Sequence, residues 1–69
     1  MKFLIVTKIY GMNGGIATDS KEAVMMNIYN IAGSLVKKAQ VGEGNTWISL
    51  RKGIYVVVFG NLSYKVLVK

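Results

Sequence analysis

From Thr18 to its last residue, this chain consists of apolar segments separated by short turns rich in Gly and Asn. A first amphipathic segment, residues 20–41, precedes three shorter apolar segments. Turns this short place successive segments side by side in a small domain. The pattern therefore predicts a single domain, residues 1–69, with no room for a second domain or a catalytic apparatus.

The chain is so short that a large share of its surface stays exposed after folding. A chain of 69 residues buries roughly 60% of the surface that its unfolded form exposes, and domains of this size usually gain stability from a disulfide, a metal or a partner. The sequence contains no cysteine and no histidine, which excludes disulfides and the thiolate or imidazole sites of zinc, copper and non-haem iron. We therefore expect no cofactor and expect a partner chain to supply stability.

No segment has the length of a membrane-spanning helix. The longest continuous apolar run, residues 54–59, is far shorter than the roughly 20 residues that a span requires. The apolar residues 1–6 resemble the start of a signal peptide, but Thr7 and Lys8 interrupt them and no small-residue cleavage site follows. The expectation is a cytoplasmic protein without a membrane span.

The chain is basic, with a formal net charge of +6 from nine Lys and Arg against three Asp and Glu. Such a charge attracts nucleic acid or anionic lipid. Most of the basic residues stand singly, however, and only residues 37–38 and 51–52 form basic pairs. Because scattered lysines also protect sheet edges from aggregation, solubility explains the charge better than a nucleic-acid interface does.

The longest periodic segment, residues 20–41, predicts an amphipathic helix. Asp19 followed by Glu22 resembles a capping box, and Gly42 suits the position just after a helix. Apolar residues recur at helical spacing along two adjacent seams, which are Val24, Ile28, Ile31 and Leu35, and Met25, Tyr29, Ala32, Val36 and Ala39. Gly33 lies within this helix at a cost of about 1 kcal/mol, so it indicates either neutral drift or the close approach of a second backbone.

The other apolar segments predict strands because they are rich in β-branched and aromatic residues. Residues 11–15 and Gly60-Asn61 have the composition of turns, and Lys52-Gly53 is typical of a two-residue hairpin. The predicted strands are residues 2–10, a very short strand at Ile16-Ala17, and residues 46–51, 54–59 and 64–68. The predicted fold class is α+β, an antiparallel sheet of four to five strands with one central helix on one face.

One helix covers only one face of a sheet, yet two of the predicted strands are apolar on both faces. These strands are residues 2–10 and residues 54–59. A strand that is apolar on both faces is typical of a sheet that is covered on both sides. We therefore expect a second chain to cover the other face and the protein to be dimeric.

Catalytic motifs are absent from the sequence. The acidic residues are Asp19, Glu22 and Glu43 alone, and no histidine is available to activate a serine. The glycines of residues 11–15 match neither the dinucleotide-binding pattern nor the P-loop. We expect that the protein is not an enzyme.

The order of these segments resembles that of the roadblock family (dynein light-chain roadblock type), whose fold is similar to that of profilin. The resemblance rests on the FLIVTKIYG strand with its GMNGG turn, the IATDSKEA helix start, the GEGN helix end, and WISLRKGIYVVVFGN followed by YKVLV. It covers nearly the whole chain, which lacks the flanking N- and C-terminal helices of typical members.

The resemblance implies a non-enzymatic homodimeric scaffold that binds or regulates a small Ras-like GTPase. Family members pair their central helices and join their sheets edge to edge. Carried over, the helix interface is Met26, Tyr29, Asn30, Gly33 and Lys37, and the joined edge is Trp47, Ser49 and Arg51. Two alternatives remain open, namely a structural oligomeric subunit with an unrelated protein partner and a small basic nucleic-acid-binding protein.

Overall fold

The computed structural model describes the backbone of residues 6–69 and the side chains from residue 8 onward, and every regular element in this range is a β-strand. One antiparallel sheet has the strand order β1-β2-β5, and the other has the order β4-β3-β6-β7. The strands are β1 (Val6–Met12), β2 (Gly15–Ser20), β3 (Val24–Asn30), β4 (Leu35–Val41), β5 (Gly44–Ser49), β6 (Gly53–Phe59) and β7 (Leu62–Val68).

The predicted α+β fold with a central helix is wrong. Residues 20–41 contain the hairpin of β3 and β4 in place of a helix. Burial within β3 follows a period of two, because Met26 and Ile28 are fully buried whereas Met25 is half exposed. Successive side chains on a strand point to opposite faces, which accounts for this alternation.

The turn between β3 and β4 explains why a hairpin forms there. Gly33 has a φ of +90°, a left-handed conformation that a side chain disfavours. The Asn30 Oδ1 accepts hydrogen bonds from the N–H groups of Ala32 and Ser34, each at 3.0 Å. Asn side chains favour turns by bonding to nearby backbone in this way. Gly33 thus serves the turn and does not mark a contact between helices.

The residues predicted to cap the helix lie in a strand or in the connections between strands. Asp19 lies in β2, where it pairs with Lys8 on one side and Asn45 on the other. Glu22 lies between β2 and β3, and its backbone carbonyl accepts a hydrogen bond from the Ser20 hydroxyl at 2.6 Å. Gly42 lies in the connection from β4 to β5. The capping-box pattern therefore did not mark a helix start.

Most strand predictions outside this segment are confirmed. The turn at Gly60-Asn61 joins β6 to β7, with Phe59 paired to Leu62. β2 exists and is longer than the two residues predicted for it. Residues 2–5 of the predicted first strand lie outside the described residues. The predicted hairpin at Lys52-Gly53 is wrong, because β5 and β6 belong to different sheets and the chain crosses between the sheets there.

The core lies between the inner faces of the two sheets. Ile16 and Ile48 come from the three-stranded sheet, and both are buried against side chains of the four-stranded sheet. Val66 and Val68 of the four-stranded sheet face the same core, since both are buried. The side chains that are essentially inaccessible to solvent are Ile16, Met26, Ile28, Val41, Val57 and Val68. The two sheets therefore form one β-sandwich with a shared apolar core.

Backbone contacts close one side of this sandwich, where β1 and β7 lie. Lys69 N–H donates to the Met12 carbonyl at 3.1 Å, and Gly14 N–H donates to the Lys69 carbonyl at 2.9 Å. Gly11 lies so close to the carbonyl of Leu67 that a Cβ atom at this position would overlap it. The absence of a side chain at Gly11 thus allows the two sheets to meet.

Neighbouring methionines in β3 provide a test of the strand assignment. We expect Met26→Ala to lower the free energy of unfolding by about 2–5 kcal/mol, because it leaves a cavity in the core. Met25→Ala should change it by less than about 0.5 kcal/mol, because that side chain is half exposed. Urea unfolding of both variants checks the difference. Equal losses would contradict the alternation of β3.

Two glycines test the closed side of the sandwich. Gly11→Ala should destabilise the fold by roughly 1–3 kcal/mol, because its methyl group would displace the backbone of β7. Gly42→Ala is the control, since nothing lies within 4 Å of a Cβ at that position, and it should be close to neutral. Thermal unfolding compares the two. A Gly11→Ala protein as stable as the Gly42→Ala protein would show that β1 and β7 do not approach as described.

Candidate functional site: an exposed apolar face

The outer face of the four-stranded sheet carries a continuous group of apolar side chains. Tyr29 in β3 is paired with Leu35 in β4 and with Val56 in β6. In the next row, Ile54 of β6 is paired with Leu67 of β7. Ile31 lies in the turn that follows β3, at the same end of the sheet. Together these residues are called the outer apolar face, namely Tyr29, Ile31, Leu35, Ile54, Val56 and Leu67.

Much of the outer apolar face is accessible to solvent. The exposed fractions are 73% for Ile31, 55% for Leu67, 47% for Leu35 and 39% for Ile54, while Tyr29 and Val56 are half-buried. Isolated apolar residues are normal on a protein surface, but a contiguous group usually marks an interaction site. This group crosses all four strands of the sheet.

Polar residues border the outer apolar face on the same side of the sheet. Lys65 lies opposite Val56 on β7. The next row along the strands contains Lys38, Asn27, Val58 and Ser63 in register. An apolar centre with a polar rim is the usual anatomy of a protein–protein interface. On this face the apolar area is thus bordered by Lys65 and by a row in which three of the four residues, Lys38, Asn27 and Ser63, are polar.

The outer face of the three-stranded sheet carries a second, smaller feature. Tyr10, Ala17 and Trp47 occupy one row across β1, β2 and β5, and the two aromatic side chains are about half exposed. The Trp47 indole lies over Gly15, where a Cβ would contact the ring. The small residues Gly15 and Ala17 therefore leave space for two rings along the sheet surface.

The structure does not bring the eight predicted interface residues together. Met26 lies in the core, and Gly33 and Asn30 shape the turn after β3. Tyr29 belongs to the outer apolar face. Lys37, Trp47 and Ser49 line a groove between β4 and β5, and Arg51 lies in the crossing from β5 to β6, where its carbonyl accepts a hydrogen bond of 2.7 Å from the Tyr55 hydroxyl.

Of the outer apolar face, only Tyr29 is among the interface residues predicted from the sequence. The helix predicted over residues 20–41 includes Ile31 and Leu35, and it separates them from the strand residues Ile54, Val56 and Leu67. The available signal was the strand prediction for residues 54–59 and 64–68, since successive residues of a strand face opposite sides and Ile54 and Leu67 face away from the buried Tyr55 and Val66. The register between strands, which no local pattern encodes, then brings them together.

Acidic residues, the candidate metal ligands of this chain, do not cluster in the part of the chain that the structure describes. In this range no three Asp, Glu, His or Cys side chains lie close enough to hold a metal ion. Over the same residues there is also no helix long and apolar enough to cross a membrane.

Comparisons with protein-family models, with curated proteins and with solved structures find no match for this chain. The geometry of the described residues is accordingly the basis for a functional proposal.

Proposed function

We propose that this chain is a non-catalytic protein-interaction module that associates with a second copy of itself through the outer apolar face. The observation that carries the proposal is the exposure of Ile31, Leu35, Ile54 and Leu67 at one end of the four-stranded sheet. Burying apolar surface contributes about 25 cal/mol per Å². Covering this group would supply stabilisation that so small a domain lacks by itself.

A second copy is the favoured partner for reasons of size and symmetry. A domain of 69 residues buries a limited share of its surface when it folds alone. Two-fold pairing places the same patch of each subunit against its counterpart, which suits an apolar patch with a polar rim. Lys65 lies at the margin of the face, so its ammonium group can remain in water while its stem covers apolar atoms.

The proposal keeps the homodimeric and non-enzymatic parts of the expectation from sequence. It does not include binding of a small GTPase. That expectation depended on a central helix, and residues 20–41 form strands. The helix seam of Met26, Tyr29, Asn30, Gly33 and Lys37 therefore does not exist as one surface.

Nucleic-acid binding is supported less well by the geometry. The half-exposed Tyr10 and Trp47 could stack on bases, and the net charge of +6 favours anionic partners. In the adjacent row, however, Lys8 is paired with the acidic Asp19. This pairing reduces the positive potential beside the aromatic row, so the self-association proposal is preferred.

A matched pair of lysine substitutions on β7 tests the proposed interface. Leu67→Lys places a charge in the outer apolar face and should weaken self-association at least tenfold, or about 1.4 kcal/mol. Ser63→Lys adds the same charge to the same face of the same strand, outside the apolar group, and should weaken it by less than about threefold. Sedimentation equilibrium measures both. Equal effects of the two variants, or a wild-type chain that stays monomeric at every concentration tested, would contradict the proposal.

The salt dependence separates self-association from nucleic-acid binding. Raising the salt concentration from about 0.1 M to about 1 M shortens the screening length from roughly 10 Å to 3 Å. Self-association should become tighter, because screening reduces repulsion between two chains of charge +6. Binding to a fluorescent single-stranded oligonucleotide should instead fall log-linearly. Self-association that weakens with salt, together with a tight oligonucleotide complex at low salt, would favour the nucleic-acid function.

A further inference from the structure

One side of the sandwich is closed by backbone hydrogen bonds, and the opposite side is open. On the side of β1 and β7, backbone hydrogen bonds join Lys69 to Met12 and Gly14. On the opposite side lie β4 and β5, and no strand pairing joins them within the described residues. A groove of about 400 Å³ separates these two strands, and its lining includes Lys37, Lys38 and Gln40 of β4 and Trp47 and Ser49 of β5.

The backbone of β5 presents hydrogen-bonding groups to this groove. Leu50 N–H donates to the Gly14 carbonyl at 3.0 Å. The backbone N–H and C=O groups of Leu50 are therefore directed toward β2. Because backbone groups alternate in direction along an antiparallel strand, those of Trp47 and Ser49 are directed away from β2. The free edge of β5 therefore offers the N–H and C=O groups of these two residues to an additional strand.

β5 differs from the other edge strands in its lack of charge. Lysine residues occur in each of the other edges, at Lys8 in β1, Lys37 and Lys38 in β4, and Lys65 in β7. Charged side chains on an edge strand oppose the addition of another strand. The sequence of β5, GNTWIS, contains no charged residue and no proline. Among the edge strands of residues 6–69, it is the one without this protection.

We propose that β5 binds an extended acidic segment of a partner protein, which adds a strand to the three-stranded sheet. Backbone hydrogen bonds to Trp47 and Ser49 would hold the segment in register, as in other cases of strand addition. Lys37 and Lys38 on the opposite wall of the groove carry positive charge, and none of the described residues that line the groove is acidic. Charge complementarity thus selects a segment in which acidic side chains alternate with apolar ones. This site is separate from the outer apolar face.

The test uses a peptide as long as β5, which has 6 residues, with alternating Glu and Val and blocked ends. We expect this peptide to slow amide hydrogen exchange at Trp47 and Ser49 at least tenfold in the wild-type chain. A control peptide with Lys in place of Glu should bind at least tenfold more weakly. Exchange measured residue by residue by NMR reports both the location and the strength of binding.

Two variants separate strand addition from a general charge effect. Ser49→Pro removes one N–H donor at the free edge, where proline is tolerated in sheets, and should weaken binding of the Glu peptide at least tenfold. Changing Lys37 and Lys38 to Glu should reverse the preference between the two peptides. The control variant Lys65→Glu, on a distant edge strand, should preserve the preference for the Glu peptide.

Three results would overturn the proposal. The first is that neither peptide alters exchange in β5, and the second is that both peptides bind equally well. The third is that Trp47 and Ser49 are already protected in the peptide-free chain and lose protection on dilution, which would show that a second copy occupies the edge. The Leu67→Lys variant should bind the Glu peptide as the wild-type chain does, even where it no longer self-associates. Failure of the strand-addition proposal can therefore be distinguished from failure of the self-association proposal.

Discussion

The packing of the two inner sheet faces against each other is the interaction on which the rest of this structure depends. Ile16 and Ile48 of the three-stranded sheet contact a core that is otherwise built from the four-stranded sheet. Close packing of such side chains is what stabilises a small sandwich. Successive side chains on a strand point to opposite faces of the sheet. The residues that pack in the core therefore fix which of their neighbours lie on the outer face.

The consequence for the surface is that each sheet retains one outward face. On the four-stranded sheet this face includes apolar side chains at one end, and on the three-stranded sheet it includes Tyr10 and Trp47. The closure between β1 and β7 leaves β4 and β5 as the open side. The proposed self-association surface and the proposed strand-binding edge both follow from this arrangement of two sheets.

The strands near the C-terminus were predictable from local sequence, whereas residues 20–41 were not. In β6 and β7 a short turn at Gly60-Asn61 and runs of β-branched and aromatic residues both predict a hairpin, which the structure contains. In β3 and β4 the apolar residues fit a helical period as well as a period of two, and the Asp19 and Glu22 spacing imitates a capping box. Gly33 was the available signal against a helix, because its left-handed backbone suits a turn.

The candidate surfaces depended even more on tertiary structure. Lys52-Gly53 has the local chemistry of a hairpin, yet the chain crosses between sheets there, since β5 pairs with β2 and β6 pairs with β3. The sequence by itself determined that disulfides and thiolate or imidazole metal sites are excluded and that the protein is basic, because these properties follow from composition. It also determined most strands of the second half, because these follow from short-range pattern. Only the tertiary structure decided which residues share a face and which edge is free, because pairing between distant strands sets both.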